Sequence, residues 1–173
     1  MTTYGGSYSV GFSGTVFSIT SALTRGDLAL NQFQGNIIKP RMLRVRGSWG
    51  TNQTYSTVRT LVFQWKDATY PTASGILQFT SQVYSPYSPL LWENRRKIRV
   101  LYDMTHSLKP RVASGYDYES FDSGALINLA DIQFAAGSAS VQMNGLFVLV
   151  ISDDGAASYP FINYCVELVY TDA

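Results

Sequence analysis

The stretch Arg41–Lys66, RMLRVRGSWGTNQTYSTVRTLVFQWK, decides how the rest of the chain is read. It predicts two long strands joined by a polar turn at Gly50-Thr51-Asn52-Gln53-Thr54, a run of turn-forming residues. In the first strand Leu43, Val45, Gly47 and Trp49 fall on one face and Arg44, Arg46 and Ser48 on the other, because successive strand side chains point to opposite faces. In the second, Leu61, Phe63 and Trp65 lie opposite Thr60, Val62 and Gln64. β-Branched and aromatic residues dominate both, as strands prefer. The reading is a hairpin with Leu43, Val45, Phe63 and Trp65 as core residues. From Lys39 to Lys66 there are six basic residues and no acidic one, so the hairpin is expected to carry a basic face on its back.

The same charge pattern extends outward. Net charge is only +1, yet all 13 Lys and Arg lie between Arg25 and Arg111. From Ala113 onward there are eight acidic residues and no basic one. Such asymmetry predicts a basic face and an acidic face on one domain. Charged residues make up only 14% of the chain, which leaves uncharged surface available for a partner.

Further strands are expected at Thr15–Thr20, Lys97–Thr105, about Tyr118–Ile127, Gly145–Ser152 and Phe161–Thr171, with an interrupted one at Ile132–Ala135 and Ser140–Gln142. Gly145–Ser152, GLFVLVIS, is apolar on both faces, as a strand buried on both sides should be. In KIRVLYDMT, Leu101 is the apolar exception to the alternation. The long connection Asp67–Asn94 holds a possible short helix around Ser74–Phe79. Met1–Gly14 is rich in Gly, Ser and Tyr and uncharged, so it is expected to be a flexible or surface-laid arm. Residues 15–173 then form one domain, which 173 residues can supply with a sizeable core. The fold class is all-β, an eight-stranded sandwich of the jelly-roll kind with a short helix in a long loop.

The chemistry predicted is not that of an enzyme. No GxSxG, HExxH, P-loop or CxxC motif occurs. One histidine, His106, cannot build a His-rich metal centre and is read as structural. Asp153-Asp154 is read as a solvated turn rather than an acid–base pair. The lone Cys165 is expected to be a buried thiol. Arg25-Gly26-Asp27 is a short tripeptide match with weak support for receptor binding. No apolar run of 18 residues is present and no signal peptide is expected.

Four ordered blocks carry a family resemblance. They are Gly26-Asp27 through Asn31-Gln32 and Gly35 into Leu43–Gly47; Trp65-Lys66-Asp67 with Pro71-Thr72; Tyr87-Ser88-Pro89 with Arg96–Leu101, Asp103 and Thr105; and Val169–Ala173. In this order and spacing the chain resembles the coat proteins of satellite tobacco necrosis virus and related small icosahedral viruses. The match is poor between Tyr116 and Asn144. The resemblance implies a single jelly-roll capsid domain whose copies, about 60 of them, close into a shell around the genome; the protein would reside in the virion. It implies nucleic-acid contacts, to the backbone, at Lys39, Lys66 and Arg96, to which the charge pattern adds Arg44, Arg46 and Arg95. It also implies calcium between subunits, with Asp172, the carbonyls of Gln34 and Ile37, and Asp27 as ligand positions. A further family calcium loop matches Lys109-Pro110, where a lysine disfavours a cation. The family's basic N-terminal arm has no counterpart, since Met1–Thr24 contains no Lys or Arg. A carbohydrate-binding jelly-roll module and a trimeric signalling ligand are the competing readings, because exposed Tyr and Trp can stack on sugars. No membrane partner is expected.

Overall fold

The computed structural model describes residues 1–27, 29–52, 55–79, 84–109, 117–154 and 160–172. Its strands are β1 (Thr2–Ser9), β2 (Thr15–Ser18), β3 (Thr24–Arg25), β4 (Gln32–Phe33), β5 (Ile37–Thr51), β6 (Ser56–Trp65), β7 (Ile98–Leu108), β8 (Asp117–Asp122), β9 (Ile132–Phe134), β10 (Val141–Met143), β11 (Gly145–Ser152) and β12 (Phe161–Asp172). One short helix, α1 (Ala73–Ile76), lies in the long connection, and single 3-10 turns occur at Thr20–Ala22 and Trp92–Asn94. The fold is therefore all-β. β3 and β4 pair in parallel as a small two-stranded sheet; of the two larger sheets, one runs β1-β12-β5-β9-β10, with β8 also on β5, and the other runs β2-β11-β6-β7. All strand pairs of these two larger sheets are antiparallel.

The stretch Arg41–Lys66 does not fold as a hairpin. β5 pairs with β12 and β8, whereas β6 pairs with β11 and β7. The two strands are an arch that carries the chain from one sheet to the other. Alternation is the same for a hairpin and an arch, since it reports faces and not pairing partners. Part of the expected turn, residues 53–54, lies outside the described residues. The arch is tied at its closed end. Trp49 Nε1 donates to Thr60 Oγ1 at 3.0 Å across the buried interior, and the hydroxyls of Thr51 and Ser56 lie 3.2 Å apart.

Burial explains the two-faced strands. Between the sheets lie Leu43, Val45 and Trp49 of β5, Val58 and Val62 of β6, Val148 and Val150 of β11, and Ile162, Val166 and Leu168 of β12. Leu61, Phe63 and Trp65 point the other way, with Phe147, Leu149 and Ile151, into a second cluster under Ile76 and Leu77 of the long connection. The four expected core residues are thus buried, but they belong to two cores. A β-bulge shifts the β6–β7 register at Val62/Phe63, pairing Val62 with Tyr102 and Phe63 with Val100. Leu101 is the extra residue between them, which accounts for its break in the alternation.

The expected arm is laid along a sheet edge as a strand. Thr2–Ser9 is an edge strand, in register with β12 from Thr2↔Leu168 to Ser9↔Phe161. The reason is a period-2 pattern hidden among small residues. Tyr4, Gly6 and Tyr8 share a face over Tyr164, and a Cβ on Gly6 would meet the Tyr164 ring at 3.1 Å. Tyr8 stacks on Phe17 and Tyr164, whose own rings lie 4.5 Å apart. Burial pushes the Tyr4 phenol well above its ordinary value.

Asp153, exposed as a solvated turn should be, and the half-buried Asp154 also form a structural clasp. Thr57 N donates to Asp153 Oδ1 at 2.7 Å, and Ser56 Oγ to Asp154 Oδ2 at 2.6 Å. The rest of that loop, 155–159, lies outside the described residues. His106 is buried, with Nδ1 2.8 Å from Glu119 Oε1, so it links β7 to β8 across the sheets. Cys165 is only partly buried, on the outer face of β12.

Trp65 is 4% exposed and anchors the second core. Replacing it by Ala should lower stability by about 3–5 kcal/mol in chemical denaturation. A loss below about 1 kcal/mol would mean the long connection does not pack on it.

Candidate nucleic-acid interface

β5 runs toward the arch and β6 runs back from it. The start of β5 and the end of β6 therefore share one end of the sandwich, opposite the arch. This brings Lys39 to the same end as Lys66, and β7 adds the turn before it, since Trp65 pairs with Ile98. Lys66 N donates to Lys97 O at 2.8 Å. Lys39, Lys66, Arg95 and Arg96 are all exposed there. Among the described residues, none of the four has an ion pair within the chain.

Arg44 and Arg46 lie farther along β5, on the outer face of its sheet, and are engaged. Arg44 Nε donates to Asp122 Oδ1 at 3.0 Å, and its Nη2 donates to Oδ2. Arg46 Nη2 is 3.5 Å from Glu167. The partners come from β8 and β12, the strands flanking β5. A run without acids in sequence is thus supplied with acids by its neighbours in space. Arg59, the remaining basic residue of β6, is buried and bidentate to Asp103 at 2.7 Å.

Two basic residues outside the sequence-derived set share the end. Lys97 Nζ lies 2.8 Å from Asp67, and this bond holds the Asp67 carboxyl below its ordinary value. Arg99 donates to the Asn128 carbonyl at 2.7 Å. Trp92, beside them, is 70% exposed and carries the Arg95 guanidinium 4.0 Å from its ring centre. The signal available in the sequence was the spacing in Trp92-Glu93-Asn94-Arg95-Arg96-Lys97, where one turn returns Arg95 to Trp92.

The expected calcium positions converge in part. Gln34 N donates to Asp172 Oδ2 at 3.2 Å, and Asp172 faces Ile38 across β12–β5, next to Ile37. Asp27 is exposed, in the loop that follows β3. The Gln34 carbonyl already accepts from Arg25 Nη1 at 2.8 Å. One carboxylate, and a carbonyl that also accepts from a guanidinium, supply only part of the 6–8 oxygen ligands a calcium ion takes. Arg25 also binds the Ser138 and Ala135 carbonyls and Asn36 Oδ1. The guanidinium of the Arg25-Gly26-Asp27 tripeptide is therefore committed inside the fold.

No family model matches the chain, and no curated protein matches it.

The Arg44 bond pushes the Asp122 carboxyl down to about 2, helped by the Gly124 amide. Because the folded value is depressed, this pair contributes stability above the ordinary carboxylate range near ~4. That contribution fades as pH falls through about 2. Arg44→Gln should return the Asp122 midpoint toward its ordinary value in a carboxyl NMR titration. An unchanged midpoint would show that the pair does not persist in solution.

Proposed function

We propose that the chain is a structural coat protein, a single eight-stranded jelly roll that self-assembles into an icosahedral shell of about 60 copies around nucleic acid in a virion. The strand order carries the reading. With the short β3, β4, β9 and β10 set aside, eight strands remain, four to a sheet. They run β1-β12-β5-β8 in one and β2-β11-β6-β7 in the other. The last of the eight, β12, thus lies between the first, β1, and the third, β5, as two interleaved Greek keys require. The role is structural rather than catalytic.

Nucleic acid would be held through Lys39, Lys66 and Arg96, with Arg95 beside them. Arg44 and Arg46 are weaker contributors, because Asp122 and Glu167 already hold them. Strand-borne and turn-borne cations without a groove-reading element contact phosphate and carry little sequence information. About 60 copies at +1 each supply only about 60 net charges, against roughly a thousand phosphates in a genome of about a thousand nucleotides. Packaging should therefore be strongly salt-sensitive.

Calcium belongs to this proposal only at a joint between copies. Asp172 and the Gln34 and Ile37 carbonyls would need oxygen ligands from a neighbouring copy. The competing reading, a carbohydrate-binding jelly-roll module, draws on the exposed aromatics Tyr87, Trp92 and Tyr118.

Size separates the two. Purified protein should appear in negative stain as uniform particles near ~20 nm across, and a monomer or trimer at all concentrations would overturn the coat-protein reading. Lys39→Gln with Lys66→Gln and Arg96→Gln should lower the nucleic acid recovered in particles while leaving assembly intact; unchanged packaging would remove these three from the interface. Chelator should lower the particle melting temperature, and Asp172→Asn should reproduce that shift. If neither changes melting, calcium has no part in the joint.

A further inference from the structure

The proposed interface contains a feature that phosphate binding alone does not use. Trp92 is exposed, yet its position is fixed. Leu91 N donates to Ile76 O at 2.7 Å, Arg95 N to Trp92 O at 3.3 Å and Lys97 N to Asn94 O at 2.8 Å. Asn94 Nδ2 adds a bond to Gly75 O at 2.9 Å. The turn is thereby pinned to α1, and the indole is presented by a braced backbone. Arg95 covers one face of the ring. Trp92, Glu93, Arg95 and Arg96 line one surface depression, and Lys66 joins the turn through Lys97.

We propose that Trp92 is a stacking platform for an unpaired base of single-stranded nucleic acid, with Arg95, Arg96 and Lys66 holding the adjoining phosphates. This rests on the nucleic-acid reading above and adds to it a preference for single strands. A ring with a guanidinium on one face offers its other face to a planar partner. Every base has such a face, so stacking of this kind tolerates any sequence. In a duplex those faces are occupied by neighbouring pairs, so the platform discriminates against duplex. The surroundings disfavour a sugar in the same place. Lys and Arg have donors and no acceptors, and Glu93 is the one acidic side chain lining the depression.

The three tryptophans give a direct readout. Trp49 and Trp65 are buried and Trp92 is exposed, so a fluorescence change on oligonucleotide addition at low salt reports Trp92. The probes are a thymidine 12-mer, a 12-base-pair duplex and an abasic 12-mer. The 12-mer should quench the emission and bind more tightly than either of the others. Trp92→Ala should weaken it roughly 5- to 150-fold, the range for losing one stacked base. Trp92→Phe should keep most of the affinity and lose the quench.

Equal affinity for the 12-mer and the abasic strand, with Trp92→Ala unaffected, would overturn the platform and leave phosphate binding standing. Loss of particles on Trp92→Ala without loss of 12-mer affinity would instead make Trp92 a contact between copies. If no probe binds and particles carry no nucleic acid, the platform and the underlying reading both fail.

Discussion

Everything in the sandwich depends on the crossing between β5 and β6. An arch must hold two sheets at a fixed separation without backbone hydrogen bonds between its arms. Side chains supply what the backbone cannot. The Trp49–Thr60 hydrogen bond spans the interior, and in a medium that excludes water an unpaired indole N–H would be costly. The bond therefore selects one separation and one register. At the closed end Asp153 and Asp154 reach from the end of β11 to the start of β6, so the arch and the neighbouring strand are fixed together.

The sheets then determine what the cations can do. Arg44 and Arg46 lie far in sequence from Asp122 and Glu167, yet strand pairing sets them side by side. Their charge is largely spent within the chain. Lys39, Lys66, Arg95 and Arg96 sit where the strands end and form no such ion pair among the described residues. Two groups of basic residues that look alike in sequence thus differ in availability. The difference comes from topology rather than from residue type.

Faces were legible in the sequence and partners were not. Alternation found the buried side of β5 and only one of the two buried sides of β6, whose Val58 and Val62 lie between the sheets; the unbroken apolar run of β11 marked it as covered on both sides. Leu101 was visible as an irregularity, but its cause, a bulge, needed the partner strand. The arch read as a hairpin because period-2 patterning carries no information about which strand lies alongside. The N-terminal strand was missed because its signal is two tyrosines bracketing a glycine, and the ring that makes the glycine necessary belongs to Tyr164, far along the chain. At the candidate site, the basic residues were visible as residues. The Arg44–Asp122 pair and the exposure of Trp92 were not, since both depend on contacts between distant segments.

The position of β12 has a consequence for the order of events during synthesis. It follows every one of its partners in the chain, yet it lies between β1 and β5, with Thr2 opposite Leu168 and Ile38 opposite Asp172. Until it leaves the ribosome, β1 has no neighbour in its sheet and β5 lacks its longest pairing. Contacts this distant in sequence make folding slow, on the order of milliseconds to seconds, because loop closure precedes any gain from pairing. A truncated chain therefore cannot present a finished sheet to another molecule. Quality control is built into the topology: a nascent or broken product is excluded from any ordered association that uses this face.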